Sequence, residues 1–302
     1  MAQRPTVADL MANRGRHQYA MLRVETLDEA AAAAAAGVEL FSIPPAMIHD
    51  RRCREVAPHA FAFPGDNFYE IGGTDDFLRW ALPLYKAGAD GVYCSGSLKT
   101  VRELADHAIP VCGHVGLIPS KATWTGGFKA VGKTLDSAKR VWDQCVALAD
   151  AGAFAVEIEV VPHSITQAIA EHTDLFLISM GAGAGGHAQY LFSDDVLGQN
   201  SGHVPRHAKV YANFAAEHAR LQTLRIEAMT RFAQDVHSGA YPAPQYLVDS
   251  QADVVAAFRD WLGDQTRYSP RLSGAKPALL CLPKHRRRTR RQGRPCKDHA
   301  RR

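Results

Sequence analysis

Two glutamates stand two residues apart in an otherwise apolar stretch of the chain, AGAFAVEIEVVPHS (151–164). The Ala, Val, Ile and Phe residues around Glu157 and Glu159 are typical of a buried strand, where residues two apart point to the same face. If both glutamates face the interior, we expect each to raise the pKa of the other, which favours a proton-sharing pair for acid–base chemistry. The alternative is that local twist turns Glu157 toward a Lys or Arg on a helix.

Other polar residues and glycines also lie where apolar runs end. His114 is near the end of IPVCGHVG, Tyr93 and Ser95 end GVYCSG, and Gly181 and Gly183 belong to a glycine-rich loop. Glycine lets backbone N–H groups approach an anion closely, so these two glycines, with Tyr93 and Ser95, are candidates for substrate binding. Each feature alone has a plainer explanation, such as a packed histidine or a tight turn. Their shared position favours one site.

Eight short apolar runs supply the strands that would position these groups. Helical patterns lie between most of the runs, which are residues 18–24, 38–44, 60–64, 91–96, 109–116, 154–161, 174–181 and 189–193. This alternation predicts a parallel sheet closed into a (β/α)₈ TIM-type barrel, whose catalytic groups gather at the carboxyl ends of the strands. An open doubly wound sheet is the alternative, but no GxGxxG follows the first strand.

Charge is distributed unevenly along the chain of 302 residues. A net charge of +9 over residues 284–302 leaves −5 for the rest, because the whole chain carries +4. We therefore predict one barrel domain with C-terminal helices over residues 1–265 and a basic, disordered tail over 266–302. The acidic body disfavours nucleic acid as a partner.

Cysteine usage and hydropathy indicate the compartment. The six cysteines form no CxxC pair and no zinc-ligand spacing, and reduced, packed thiols suit a cytoplasmic protein. The N-terminus lacks the apolar core of a signal peptide, and no apolar run is long enough to cross a membrane. We expect a cytoplasmic protein without a membrane partner.

Several motifs resemble the ketopantoate hydroxymethyltransferase family. The stretch IPVCGHVGLIPSKATWTGGFKAVGKT is similar to the family's GHxGLTPQ…GGxKxQG run, and AGAFAVEIEVVP to its AGAFxxVLExVP. LISMGAGAGGHAQYLFSDDVLG, HVPRHAKVY and VHSGAYP follow in the family's order. The resemblance implies a barrel of the phosphoenolpyruvate mutase/isocitrate lyase kind.

The resemblance also implies a reaction and a set of roles. The family adds a hydroxymethyl group to a 2-oxo acid, with methylenetetrahydrofolate as co-substrate and Mg²⁺ to acidify the C–H next to the keto group. By position, Glu159 matches the family's proton-transfer glutamate, and His114 matches its active-site histidine. The resemblance further implies a homo-oligomer.

The chain departs from the family where the metal and the substrate are held. The metal-binding GDS falls on Pro44, Pro45 and Ala46, and the lysine of KxEGG falls on Tyr93. Asp66 is the one doubtful stand-in for a metal-binding aspartate. Since Mg²⁺ needs near-octahedral oxygen ligation, we expect its usual site to be lost or rebuilt.

Three functions remain open from the sequence. The first is the family's reaction on a 2-oxo acid, or a variant of it. The second is a repurposed, metal-independent lyase, isomerase or transferase that uses Glu159, His114 and Glu157. The third is a non-catalytic relative. We favour the first narrowly, because the proton-transfer residues persist while the metal-binding residues do not.

Overall fold

The computed structural model describes residues 3–65, 71–200 and 202–266. The chain divides into two compact units, residues 1–227 and residues 228–302. The predicted domain over 1–265 spans both units, and from residue 267 onward the predicted tail lies outside the described residues.

All eight predicted strands form in the first unit. They are β1 (Tyr19–Arg23), β2 (Leu40–Ile43), β3 (Phe61–Pro64), β4 (Val92–Tyr93), β5 (Val111–Gly116), β6 (Ala155–Glu159), β7 (Phe176–Met180) and β8 (Ala188–Phe192). Their order in the sheet is β3-β2-β1-β8-β7-β6-β5-β4, with parallel pairing throughout. The Asp90 N–H, just before β4, donates to the Ala62 carbonyl of β3 at 3.1 Å. The sheet is therefore nearly closed, and the prediction of a (β/α)₈ barrel is confirmed.

Twelve α-helices accompany the strands in the described residues. They are α1 (Val7–Ala12), α2 (Leu27–Ala35), α3 (Pro45–His49), α4 (Arg52–Val56), α5 (Thr74–Lys86), α6 (Leu98–Asp106), α7 (Ala122–Thr125), α8 (Leu135–Asp150), α9 (His163–Ala170), α10 (Ser193–Leu197), α11 (Phe214–Ser238) and α12 (Ala252–Thr266). Two short helices, α3 and α4, connect β2 to β3. Residues 181–187 connect β7 to β8 without a helix.

Large apolar side chains fill the barrel interior away from the carboxyl ends of the strands. Phe63 stacks on Phe154 at 6.1 Å between ring centroids and lies 4.7 Å from Phe61. Burial of one such side chain stabilises the fold by roughly 1.5–3 kcal/mol. Toward the carboxyl ends of the strands, polar residues replace these rings. The base of the barrel is therefore packed, and there is room for a site at the other end.

The second unit contains the end of α11, a 3₁₀ turn at Pro244–Tyr246 and α12. Its large apolar side chains are mostly exposed, as those of Phe232, Phe258 and Trp261 are. Of the helices in the described part of the chain, none has the length and apolar character that a membrane span requires.

Candidate active site

A cavity of about 530 Å³ opens at the carboxyl ends of the strands. Five of the residues singled out in the sequence line it, namely Tyr93, Ser95, His114, Glu157 and Glu159. Parallel strands bring their carboxyl ends to one edge, which explains why residues from β4 to β6 meet there. The cavity is the candidate active site.

His114 and the two glutamates form a buried cluster on one wall of this cavity. The His114 Nε2 atom lies 3.1 Å from the Glu159 carboxylate and 4.0 Å from that of Glu157. Both glutamates are less than a tenth exposed. The alternative left open for Glu157 is therefore resolved, because its side chain faces the interior rather than a helix. Both carboxylates lie near the same imidazole nitrogen, Nε2.

Strand register explains how these groups meet. His114 of β5 pairs with Glu157 of β6, and Gly116 pairs with Glu159. Gly116 has a φ of +86°, a conformation that glycine adopts without steric cost, and a Cβ there would stand 2.3 Å from the Glu159 carbonyl oxygen. The Leu117 N–H donates to that same oxygen at 2.9 Å. The backbone around Glu159 is therefore fixed by close contact with β5.

Val160, directly after Glu159, has a strained backbone. Its φ is +48°, although valine is β-branched and strongly disfavours positive φ. Two hydrogen bonds hold it there, from the Val160 N–H to the Met180 carbonyl and from the Val131 N–H to the Val160 carbonyl. Residues in such conformations cluster at functional sites, where surrounding structure holds them in place. The strained residue directly follows Glu159, whose side chain lines the cavity.

Other strands supply hydrogen-bond donors to the cavity. Arg23 ends β1, and its Nη1 atom lies 3.4 Å from Ser42 Oγ of β2. Tyr93 and Tyr190 line the same space. Arg23 was not among the site residues predicted from the sequence, although one signal was present: Arg23 continues the inward face of Tyr19 and Met21 at the strand period of two.

Burial keeps both tyrosine hydroxyls protonated. It raises the pKa of Tyr93 well above its usual value, with a further contribution from the charge of Glu157, and the same causes raise the pKa of Tyr190. Ser42 hydrogen-bonds to the Tyr190 hydroxyl. The Tyr93 hydroxyl oxygen, by contrast, is buried without a hydrogen-bond partner among the described residues. An unsatisfied buried hydroxyl is costly, so this atom points to a ligand.

The other predicted site residues lie elsewhere or outside the description. Gly181 packs against the His207 ring and Gly183 against the His163 ring, and neither glycine is on the cavity wall. Their predicted role in substrate binding stays a prediction. Asp66, the doubtful metal ligand, lies outside the described residues.

Among the described residues, the positions at which the resemblance places the family's GDS do not suit magnesium. Pro44 and Pro45, at the amino end of α3, offer no side-chain oxygen there. The one group of three His, Cys, Asp or Glu residues in the described ranges that could hold an ion is the histidine–glutamate cluster, whose ligand atoms all lie within 4.8 Å of one another. A histidine nitrogen suits a transition metal better than Mg²⁺. No step of the mechanism is therefore assigned to a magnesium ion.

A nearly closed (β/α)₈ barrel with a histidine–carboxylate cluster at the carboxyl ends of its strands has the architecture of a barrel enzyme. The sequence model of the ketopantoate hydroxymethyltransferase family matches residues 67–244. The chain belongs to this family, and its class is that of a hydroxymethyltransferase.

Individual relatives agree with the family assignment. The chain is 31% identical over 287 residues to a 3-methyl-2-oxobutanoate hydroxymethyltransferase of Nitratidesulfovibrio vulgaris, covering 85% of this chain and 91% of the relative. It is 36% identical to 3-methyl-2-oxobutanoate hydroxymethyltransferase 2 of Bradyrhizobium diazoefficiens, over 68% of this chain and 69% of the relative. A 2,3-dimethylmalate lyase structure aligns with 87% of this chain and 98% of its own at 12% identity and a TM-score of 0.45. That structural likeness is weak, and the fold assignment rests on the strand order.

Proposed function

We propose that the chain forms a carbon–carbon bond at the carbon next to the keto group of a 2-oxo acid, with Glu159 as the proton-transfer residue. The observation that carries the proposal is the contact of 3.1 Å between the buried Glu159 carboxylate and His114 Nε2. The substrate of the family's relatives, 3-methyl-2-oxobutanoate, is the first compound to test.

The proposed first step is the transfer of one proton. The Glu159 carboxylate takes the proton from the carbon next to the keto group, the C–H bond breaks, and its electron pair moves into an enolate. A positioned carboxylate contributes about 10²- to 10⁴-fold to such a step. His114 holds Glu159 in place through its imidazole, and the Glu157 carboxylate lies 4.0 Å from the same nitrogen.

The enolate carbon then forms a bond to the methylene carbon of a one-carbon donor. Water replaces the donor's nitrogen at that carbon, which gives the hydroxymethyl group and releases the donor as the free amine. The family implies methylenetetrahydrofolate as this donor and Mg²⁺ as an activator. Two residues of the cavity lining, Phe128 and Arg206, are exposed to solvent, which leaves an approach for a donor larger than the acid. Proton removal by Glu159 is independent of the donor and is tested without it.

A second candidate is a metal-independent reaction on a different substrate. It is favoured by Pro44 and Pro45, which replace the family's metal-binding GDS with side chains that bind no cation. In this candidate, Glu159, His114 and Glu157 carry the acid–base steps. The two candidates differ in the substrate on which these steps act.

Deuterium exchange tests the proposed function. The full chain is incubated with 3-methyl-2-oxobutanoate in deuterated buffer, and loss of the methine proton is followed by NMR. We expect enzyme-dependent exchange that falls about 10²- to 10⁴-fold in Glu159→Gln. Glu171→Gln, an exposed glutamate after α9, is the matched control and should exchange at the parental rate.

The chelator shows whether proton removal needs a metal. Exchange of the 2-oxo acid supports the first candidate, with metal assistance if it needs added Mg²⁺ and without it if EDTA leaves it unchanged. The second candidate requires a chelator-insensitive reaction on a different substrate. Absence of exchange both with and without Mg²⁺ and Co²⁺ contradicts the proposed function. Exchange that persists in Glu159→Gln contradicts the role of that glutamate.

A further inference from the structure

We propose that Arg23 is the cation that binds the substrate carboxylate, with the Tyr93 hydroxyl, which lines the same cavity, as a second donor. The identity of the ligand as a 2-oxo acid rests on the proposed function. The assignment of the anion-binding position rests on the geometry of Arg23, Ser42, Gly65 and Tyr93.

Arg23 places its positive charge inside the mouth of the barrel. Its Cα pairs with Ser42 of β2, and its Nη1 atom lies 3.4 Å from the Ser42 hydroxyl. Directly after β3 comes Gly65, where a Cβ would stand 3.0 Å from the same Nη1 atom. The guanidinium therefore reaches across the ends of β1, β2 and β3. This is the part of the mouth where Pro44 and Pro45 follow β2 and supply no charge.

One edge of the guanidinium is held and the other is directed into the cavity. Arg23 Nε donates to Glu25 Oε1 at 2.6 Å, and Nη2 approaches Glu25 Oε2 at 3.4 Å. The side chain is only 19% exposed. Because Glu25 engages the Nε edge, the Nη1 side faces Ser42 and the cavity. A guanidinium fixed in this way binds a carboxylate with less loss of side-chain entropy.

Tyr93 supplies an independent reason to expect a ligand in this cavity. Its hydroxyl is buried, has no hydrogen-bond partner among the described residues and lines the same cavity as Arg23. Since its pKa is raised, the group remains a neutral donor near pH 7. A buried donor without a partner destabilises the folded protein unless a ligand accepts its hydrogen bond. A carboxylate or keto oxygen provides that acceptor.

Groups of opposite chemistry line the cavity from different strands. The cation Arg23 comes from β1 and the hydroxyls of Tyr93 and Tyr190 from β4 and β8, whereas the carboxylates Glu157 and Glu159 come from β6. A 2-oxo acid has matching polarity, since its carboxylate and keto oxygens accept hydrogen bonds and the next carbon carries the acidic proton. With the carboxylate on Arg23, the C–H turns toward Glu159. Arg206 also lines the cavity, but it is exposed at the rim.

Calorimetric titration of the full chain tests this inference. The protein is treated with EDTA and titrated with 3-methyl-2-oxobutanoate and, separately, with the uncharged ketone 3-methyl-2-butanone. For Arg23→Gln we expect an affinity for the acid about 10- to 100-fold weaker, with unchanged affinity for the ketone. Arg23→Lys keeps the charge but loses the planar fork, so its affinity for the acid should lie between those of the parent chain and Arg23→Gln. Tyr93→Phe should weaken binding of the acid by a smaller factor.

Matched variants and separate readouts make the result decisive. Arg102→Gln changes an exposed arginine on α6 and should bind like the parent chain. Circular dichroism checks the fold, and Arg23→Lys and Tyr93→Phe decide the question if Arg23→Gln does not fold. The inference is overturned if the parent chain binds the acid only with an added divalent metal or does not bind it at all, or if the Arg23 variants bind it normally. Arg23-dependent binding without deuterium exchange instead overturns the proposed function alone.

Discussion

The two halves of the barrel differ in how closely they follow the family. The family's sequence model matches residues 67–244, which contain β4 to β8 and the buried contact between His114 and Glu159. The first half, with β1 to β3, lies before that match and carries Arg23, Pro44 and Pro45. The half with His114 and Glu159 lies within the family match, and the half with Arg23 lies outside it.

This difference has a chemical meaning. Removal of a proton next to a keto group requires a base and a group that stabilises negative charge on oxygen. In the proposed function the base is Glu159 of β6, whose backbone is held by close contact with β5. The proposed carboxylate-binding cation, Arg23, is on β1. The substrate-binding groups can therefore change without disturbing the proposed base.

The largest effect is expected from a change that breaks the contact between β5 and β6. Gly116→Ala places a methyl group 2.3 Å from the Glu159 carbonyl and 2.8 Å from Val161, at a φ of +86°. Strain from positive φ and the clash together should lower the free energy of unfolding by about 3 kcal/mol or more, and the shift of Glu159 should abolish exchange. Urea unfolding and the NMR exchange rate measure the two effects.

Gly37→Ala is the matched control in the first half of the barrel. Gly37 has a φ of +84°, but nothing lies within 4 Å of an added Cβ. This variant should show only the strain of positive φ, about 1 kcal/mol, with unchanged exchange. Equal destabilisation of the two variants contradicts the idea that the β5–β6 contact is what holds Glu159.

The barrel and one wall of its site were predictable from the sequence. Eight apolar runs with helical patterns between them predicted the strands, and the period of two placed Glu157 and Glu159 on one face. Arg23 was missed because a single arginine at a strand end usually lies in solvent. Its neighbours, Ser42 and Gly65, are far away in sequence, so only the closed sheet shows that the three meet. Between β7 and β8 the connection, residues 181–187, is too short for a crossover helix.

Another prediction concerns the segment before β8, the last strand within the residues that the family's sequence model matches. His187, just before β8, accepts a hydrogen bond at Nδ1 from the Leu177 N–H at 2.8 Å, and burial, with a smaller contribution from the charge of Arg14, lowers its pKa to about 4. The unfolded chain takes up this proton near pH 6.5, and the folded chain only near pH 4. Stability should therefore fall as the pH drops from 6.5 to 4, by up to about 1.4 kcal/mol per pH unit.

The contribution of His187 is isolated by substitution. His187→Asn keeps an acceptor for the Leu177 N–H but does not titrate, so its stability should depend less on pH over this range. Urea unfolding at pH 4.5, 5.5 and 7 gives the slopes. His59→Asn, at an exposed histidine, should keep the parental slope. If His187→Asn also keeps it, acid sensitivity in this range comes from other groups.

The smallest effect is expected from the half that departs from the family. Gly65→Ala adds a methyl group 3.0 Å from Arg23 Nη1, the far end of a side chain that can move, and Gly65 has no positive φ. Stability should change by less than about 0.5 kcal/mol. Affinity for the 2-oxo acid should fall about 2- to 10-fold, because the guanidinium is displaced from a charge-assisted hydrogen bond. In an Arg23→Gln background the same change should have no further effect on affinity. Additive losses in the double variant would show that Gly65 acts independently of Arg23, and the proposed cation would then lose its support from β3.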